Sequence, residues 1–180
     1  RGGTELRVES RTRSLYSEKM PQNILLCQMS GNGSLAVVTQ STRYLAEMAV
    51  YPPDFGEPYC WWTTKNEGTP VLVAFADDNH RMAVGCISAK DGQLASAIYM
   101  LDTHKNTVTA VYQADAGSAL LDLKWISNSQ VLCIYDNFAC VLNPSTGAEL
   151  CRFSYGGAAV ASVSVYGRTA ALLLSTRSGS

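Results

Sequence analysis

The chain has 180 residues, 47% of them hydrophobic and only 16% charged, with 14 Lys and Arg against 15 Asp and Glu for a formal net charge of -1. That length and apolar share suffice to bury a core, and a single domain over residues 1–180 is expected. The balanced charge argues against a nucleic-acid or anionic-membrane partner held by electrostatics, and no apolar run approaches the ~18 residues of a membrane-spanning helix.

Residues 4–18 open the chain with two short strands, TELRVES and RSLYSEK, turning at Arg11 and Thr12. Arg1, Arg7, Arg11 and Arg13 form the one basic cluster, but Glu5, Glu9 and Glu18 interleave with it, so a solvated, charge-balanced hairpin is expected. The chain starts on Arg rather than Met, which is read as a processed or truncated chain with any upstream anchor outside it. A first full unit spans residues 24–63. ILLCQM ends at Gly31-Asn32-Gly33, a strong hairpin signal. SLAVVTQ and RYLAEMAVY follow; the latter has helical propensity but lies between strands, and a strand is expected. The rigid loop YPPDFGEP leads to the closing run PYCWWTT.

The second unit, residues 70–113, is the clearest. VLVAFA, RMAVGCIS, ASAIYMLD and TVTAVYQ are rich in β-branched and aromatic residues, and the breaks between them carry Asp, Asn or Gly, which accept turn geometry. The third unit, residues 118–154, repeats the plan with SALLDLKWIS, QVLCIYD, FACVLN and AELCRFS. Residues 158–176 supply two further strands, AAVASVSVYG and TAALLLST.

First strands therefore begin near Ile24, Val71, Ala119 and Ala158. Four strands recurring every ~40 to 50 residues are the signature of a β-propeller blade. Blades hide both faces against their neighbours, which accounts for strands that are apolar on both sides. The expected fold is all-β and β-propeller-like, with about four blades of four antiparallel strands. Residues 4–18 are expected either to complete the blade begun by 158–176, or to be the tail of an earlier blade in a larger propeller.

The segments GGTELRVESRT, ILLCQMSGNGSLAVVTQSTRYLAEMAVY and the Tyr-Cys-Trp-Trp stretch carry a resemblance. On Gly2-Gly3, the Ser30-Gly31-Asn32-Gly33 turn, Ala36 to Thr39 and Tyr44, the chain resembles a propeller-like domain-of-unknown-function family of Gram-positive gut bacteria with WD-repeat-like blades. The resemblance covers most of residues 2–155. It implies longer proteins, membrane-anchored by an N-terminal helix with the propeller outside. An extracytoplasmic setting, with the anchor missing from this chain, is thus an expectation of the resemblance, and a cytoplasmic one is its alternative. The family brings no catalytic residues to carry over, and the absent early blades favour a fragment.

Motifs for chemistry are sparse. There is no P-loop, G-x-S-x-G, H-E-x-x-H or D-x-D-x-D-G pattern. The six cysteines lack metal-site spacing, and all but Cys60 sit in strand-like apolar runs, which predicts buried thiols. Turn lengths set Cys133 opposite Cys140, and Cys140 opposite Cys151, in one row across the sheet; packed thiols are expected there in preference to a disulfide. His80 and His104 fall in turns at the same end of one blade, where they can approach each other. With Asp77, Asp78 and Asp102 near, a weak metal site competes there with ordinary polar turns, and the turns are preferred: no metal and no cofactor are expected.

The aromatic residues around Pro52-Pro53 are the candidate binding group, since rigid aromatics on a loop make a peptide or carbohydrate platform. Tyr51, Phe55, Tyr59 and Trp62 are the expected binding residues. The competing reading packs Tyr59 with Trp61 and points Trp61 and Trp62 into opposite layers. The function expected is a non-catalytic binding or scaffolding module for protein or cell-surface interaction, with a protein or glycan partner. The alternative is a glycan-active hydrolase or lyase, which needs carboxylates converging from Asp54, Asp77, Asp78, Asp91, Asp102 or Asp122. An open array would also present strand edges for a homodimer.

Overall fold

The computed structural model describes residues 4–9, 11–42, 45–64, 68–90, 92–166 and 169–176. Arg1, Gly2, Gly3, Tyr44 and Asp91, on which some expectations rest, lie outside the described residues. The described residues form sixteen strands, and no helix among them is long and apolar enough to cross a membrane.

A hairpin of β1 (Thr4–Glu9) and β2 (Ser14–Met20) comes first. Blade 1 is β3 (Asn23–Met29), β4 (Leu35–Thr42), β5 (Leu45–Tyr51) and β6 (Cys60–Thr63), hydrogen-bonded in sequence order. Blade 2 is β7 (Thr69–Phe75), β8 (Arg81–Lys90), β9 (Gln93–Asp102) and β10 (Thr107–Gln113), in the same plan. Blade 3 is β11 (Leu120–Ser127), β12 (Gln130–Tyr135), β13 (Phe138–Leu142) and β14 (Glu149–Ser154). The hairpin of β15 (Ala159–Tyr166) and β16 (Thr169–Ser175) ends the array. Every pairing is antiparallel, as the short polar turns require. The segment with helical propensity is a strand, because β4 and β6 each offer it a ladder of backbone partners.

Successive sheets stack face to face, and the side-chain period of two feeds two different cores from each middle strand. On β4, Val37 faces Leu6, Val8 and Met20 of the first hairpin, while Val38 joins Met82, Val84 and Tyr99 of blade 2. On blade 2, Ala83, Ile98 and Met100 meet Leu123, Tyr135 and Leu142 of blade 3. On β12, Leu132 and Ile134 face Val160, Val163, Leu172 and Leu174 of the last hairpin. Blades 2 and 3 approach so closely that a Cβ on Gly85 would come within 2.3 Å of Leu120 Cδ2. Trp125 closes the same interface, its indole N–H donating to the Ala74 carbonyl at 2.9 Å.

One of the two alternatives for the flanking hairpins falls, and two expectations for the cysteines are corrected. Residues 4–18 and 158–176 do not join in one blade: β1–β2 and β15–β16 are separate two-stranded sheets. The first hairpin buries its apolar face on blade 1 and the last buries its own on blade 3, so they flank the stack from its two sides. The row of three cysteines also breaks. Cys133 pairs with Cys140 as expected, but a bulge between Val141 and Leu142 sets Cys151 opposite Val141 and leaves Arg152 opposite Cys140. None of the six cysteines forms a disulfide; Cys60, Cys86, Cys133 and Cys140 are buried, whereas Cys27 and Cys151 are exposed, against the expectation that burial would be general.

Candidate functional site

The loop between β5 and β6 is built to hold a fixed shape. Pro52 and Pro53 restrict the chain as it leaves β5. Phe55 N–H returns to the Pro52 carbonyl at 2.9 Å, and Gly56 N–H to the Asp54 carboxylate at 3.2 Å. Phe55 takes a left-handed φ of 57°, a costly conformation for a bulky residue, and its ring stacks on Tyr16 with centroids 5.3 Å apart. Tyr59 N–H then bonds the Val50 carbonyl at 2.9 Å, and the chain enters β6.

This loop and β2 enclose a cleft of about 590 Å³ lined by Tyr16, Phe55 and Trp61, with Glu18 and Glu57 among its walls. Tyr51 closes its base at 7% exposure. Trp61 stands at the mouth, 54% exposed. Its backbone is pinned from blade 2: Asn106 Oδ1 accepts the Trp61 N–H and the Cys60 thiol, each at 3.2 Å. The Tyr16 hydroxyl donates to the Glu18 carboxylate. Burial raises the Tyr16 phenol far above its ordinary value, with the Glu18 hydrogen bond and charge adding to it. Tyr51 is raised by burial and by the charges of Glu18 and Glu57, so both carboxylates bear on the same aromatic floor.

Of the four expected binding residues, Tyr51 and Phe55 line this cleft. Tyr59 and Trp62 are elsewhere. They pack against the core between blades 1 and 2, with Trp62 5.3 Å from Tyr99 and Tyr59 edge-on to His104 at 5.8 Å. Trp61 and Trp62 do alternate, one to each side. Sequence reasoning passed over Tyr16 and Glu18 as cleft residues, and left Glu57 and Trp61, which belong to the same loop region, out of the expected binding set. Only the docking of β1–β2 on blade 1 brings the first two to the loop, and alternation alone does not say which tryptophan faces outward.

The two histidines do meet, His80 Nδ1 lying 2.7 Å from His104 Nε2. Two of the nearby aspartates, Asp78 and Asp102, are occupied as turn acceptors. Asp78 takes the N–H groups of His80 and Arg81 and pairs with the Arg81 guanidinium at 2.6 Å. Burial pulls Asp78 upward, but those bonds outweigh it and hold the carboxyl below its ordinary value. The Lys105 N–H, helped by the Lys105 ammonium and the His104 N–H, holds Asp102 low. Among the described residues no group of three or more His, Cys, Asp or Glu is arranged to hold a metal ion.

Of the other carboxylates that a hydrolase would use, Asp54 and Asp122 are likewise engaged. Asp54 caps its own loop, and Asp122 accepts the Leu123 N–H and lies 3.6 Å from Lys124 Nζ.

Repeated four-stranded sheets stacked face to face define a β-propeller-type array, here open at both sides with an aromatic cleft on its first blade. The chain belongs to a family of unknown function, DUF5711, whose model matches residues 1–174. Comparison with curated proteins found no match. In fold it is similar to β-propeller-like Sqt1 of Saccharomyces cerevisiae, at 14% identity and a TM-score of 0.63, over 84% of this chain and 41% of that one. It is similar also to Hsv2 of Kluyveromyces lactis, at 11% identity and a TM-score of 0.64, over 93% of this chain and 57% of that one. The uncharacterized protein lmo1340 of Listeria monocytogenes matches at 12% identity and a TM-score of 0.58, over 91% and 52%. The chain thus spans between 41% and 57% of the length of these structures.

Proposed function

We propose that this chain is a non-catalytic binding module, and that it contacts a protein partner through the cleft of Tyr16, Phe55 and Trp61. The observation that carries this reading is Trp61: a large aromatic more than half exposed, held rigidly from its backbone, beside a stacked Tyr–Phe pair. Rigid aromatics at the mouth of a cleft give contact area at small entropic cost, and tryptophan is enriched among residues that dominate binding energy. The propeller-like neighbours support the reading at the level of fold alone. The engagement of Asp54, Asp78, Asp102 and Asp122 within their own turns and ion pairs weighs against the hydrolase alternative. The anchored, extracytoplasmic setting in Gram-positive bacteria implied by the sequence resemblance is part of this proposal, and places the partner at the cell surface.

The test is a binding screen of the chain and its Trp61→Ala variant against peptide and glycan arrays. Removing an anchoring tryptophan costs about 30-fold in affinity where it carries the contact. A ligand bound equally by both proteins, or one chemically altered after incubation, would overturn the reading.

A further inference from the structure

The cleft has a chemical character that its shape alone does not convey. Its aromatic residues are accompanied by Glu18 and Glu57, and no cationic side chain lines it among the described residues. A smaller cleft of about 240 Å³ adjoins it, sharing Glu18, Tyr51 and Trp61 and adding Glu47. Again no Lys or Arg is among its described lining residues. Three carboxylates therefore follow one path past the exposed face of Trp61. Electron-rich rings next to carboxylates form a site for a positive charge, since the ring quadrupole and the carboxylate attract it together.

The chain shows the same chemistry satisfied elsewhere. In the interface of blades 2 and 3, the Arg81 guanidinium lies 5.4 Å from the centroid of Trp125 while it pairs with Asp78. On blade 3, the Arg152 guanidinium lies 4.1 Å from the Phe138 ring and bonds Glu149 and Asp115. Each of those aromatic–carboxylate combinations is filled by an arginine of the chain itself. At Trp61 the rings and the carboxylates are present, and no described side chain of this protein fills the place of the guanidinium.

We infer that the cleft at Tyr16, Phe55 and Trp61 receives an arginine or lysine side chain from a basic segment of a protein partner, with a second basic residue reaching the Glu47 side. The inference rests on the reading of this cleft as the binding surface. A segment fits better than a free small cation because the carboxylates extend over two adjoining clefts rather than enclosing one point. Planar guanidinium, which stacks on rings and bonds carboxylates in a fork, is favoured over ammonium.

The probe is a short alternating arginine–glycine peptide, compared with the same peptide carrying neutral citrulline at each arginine and with tetramethylammonium chloride. Binding is followed by amide chemical-shift titration, which locates the contact. The arginine peptide is expected to shift amides of 14–18 and 55–61. It should lose about threefold in affinity in each of Glu18→Gln and Glu57→Gln, the scale of an exposed ion pair, and about 30-fold in Trp61→Ala. It should also weaken as salt rises from ~0.1 M to ~1 M, where the screening length falls from about 10 Å to about 3 Å. Equal binding of the citrulline peptide would overturn the inference and leave the cleft standing as a binding surface. Saturation by tetramethylammonium at the concentration that saturates the peptide would overturn the choice of a basic segment. Arginine-peptide binding that maps away from the cleft and ignores Trp61→Ala would overturn both the inference and the reading beneath it. The absence of binding by any probe would overturn the inference, while the array screen still tests the reading beneath it.

Discussion

Replacing Tyr135 by Phe should stabilise the protein, although Tyr135 is among its most deeply buried side chains. The residue ends β12 at 0% exposure, with its ring stacked on Phe138 at 4.5 Å. Its hydroxyl is buried and has no hydrogen-bond partner among the described residues. An unpaired buried hydroxyl costs about 1–3 kcal/mol of lost hydration. Deleting one oxygen leaves a void smaller than a methyl group, which costs about 1 kcal/mol at most. The net expectation for Tyr135→Phe is a gain of about 1 kcal/mol. In urea unfolding that gain appears as a higher midpoint with an unchanged slope, and in thermal unfolding as about 2–4 °C for a chain of this size. A loss of about 1 kcal/mol or more would refute the reasoning, because it would mean the hydroxyl is hydrogen-bonded in the folded protein. Tyr155→Phe, removing the other orphaned hydroxyl on the opposite side of blade 3, serves as an independent repeat.

Other expectations concern the joints between blades and the ionisable core. Gly147 has a φ of 72°, and a Cβ there would lie 2.6 Å from the Val111 carbonyl oxygen of blade 2. Gly147→Ala should therefore cost about 2–4 kcal/mol, from the left-handed backbone and the displaced blade edge together; urea unfolding measures it, and a cost near zero would mean the blades are not so closely docked. A thiol reagent should label Cys27 and Cys151 quickly in the native state and the other four cysteines only on unfolding. Burial, with the charge of Asp102 adding to it, pushes the Cys60 thiol up to about 11 from an ordinary 9. The folded pKa is raised, so this contribution to stability is whole below pH 9 and is lost as pH climbs toward 11. Denaturation midpoints across that window should fall, and fall less in Cys60→Ala.

Strand content and the blade period were legible because turns and apolar runs are local. Asp, Asn and Gly at the breaks, and β-branched residues between them, need no tertiary partner to be read. The placement of His80 and His104 at one end of a blade was legible for the same reason, since turns at one end of a blade are neighbours by construction; that the rings touch came from the structure. Cys151 was misplaced because a single bulged residue in β14 shifts the ladder by one, and no feature of ELCRFS announces a bulge. The candidate site was half legible. Tyr51 and Phe55 come from the loop itself, but Tyr16, Glu18 and Trp61 enter through packing.

The sequence by itself determined an all-β chain of four-stranded units whose middle strands are apolar on both sides, and that pattern demands sheets stacked face to face. The tertiary structure alone decided which hairpin covers which blade. The hairpins at 4–18 and 158–176 carry similar apolar alternation, so their patterns are compatible with joining each other or with covering different blades. Leu6, Val8 and Met20 bury against Val37, and Val163 and Leu172 bury against Ile134, so each hairpin finds its partner in the blade beside it in the chain. That choice sets Tyr16 on Phe55 and leaves Trp61 facing solvent, because burial of a face depends on which surface is brought against it and not on the residues of the face alone.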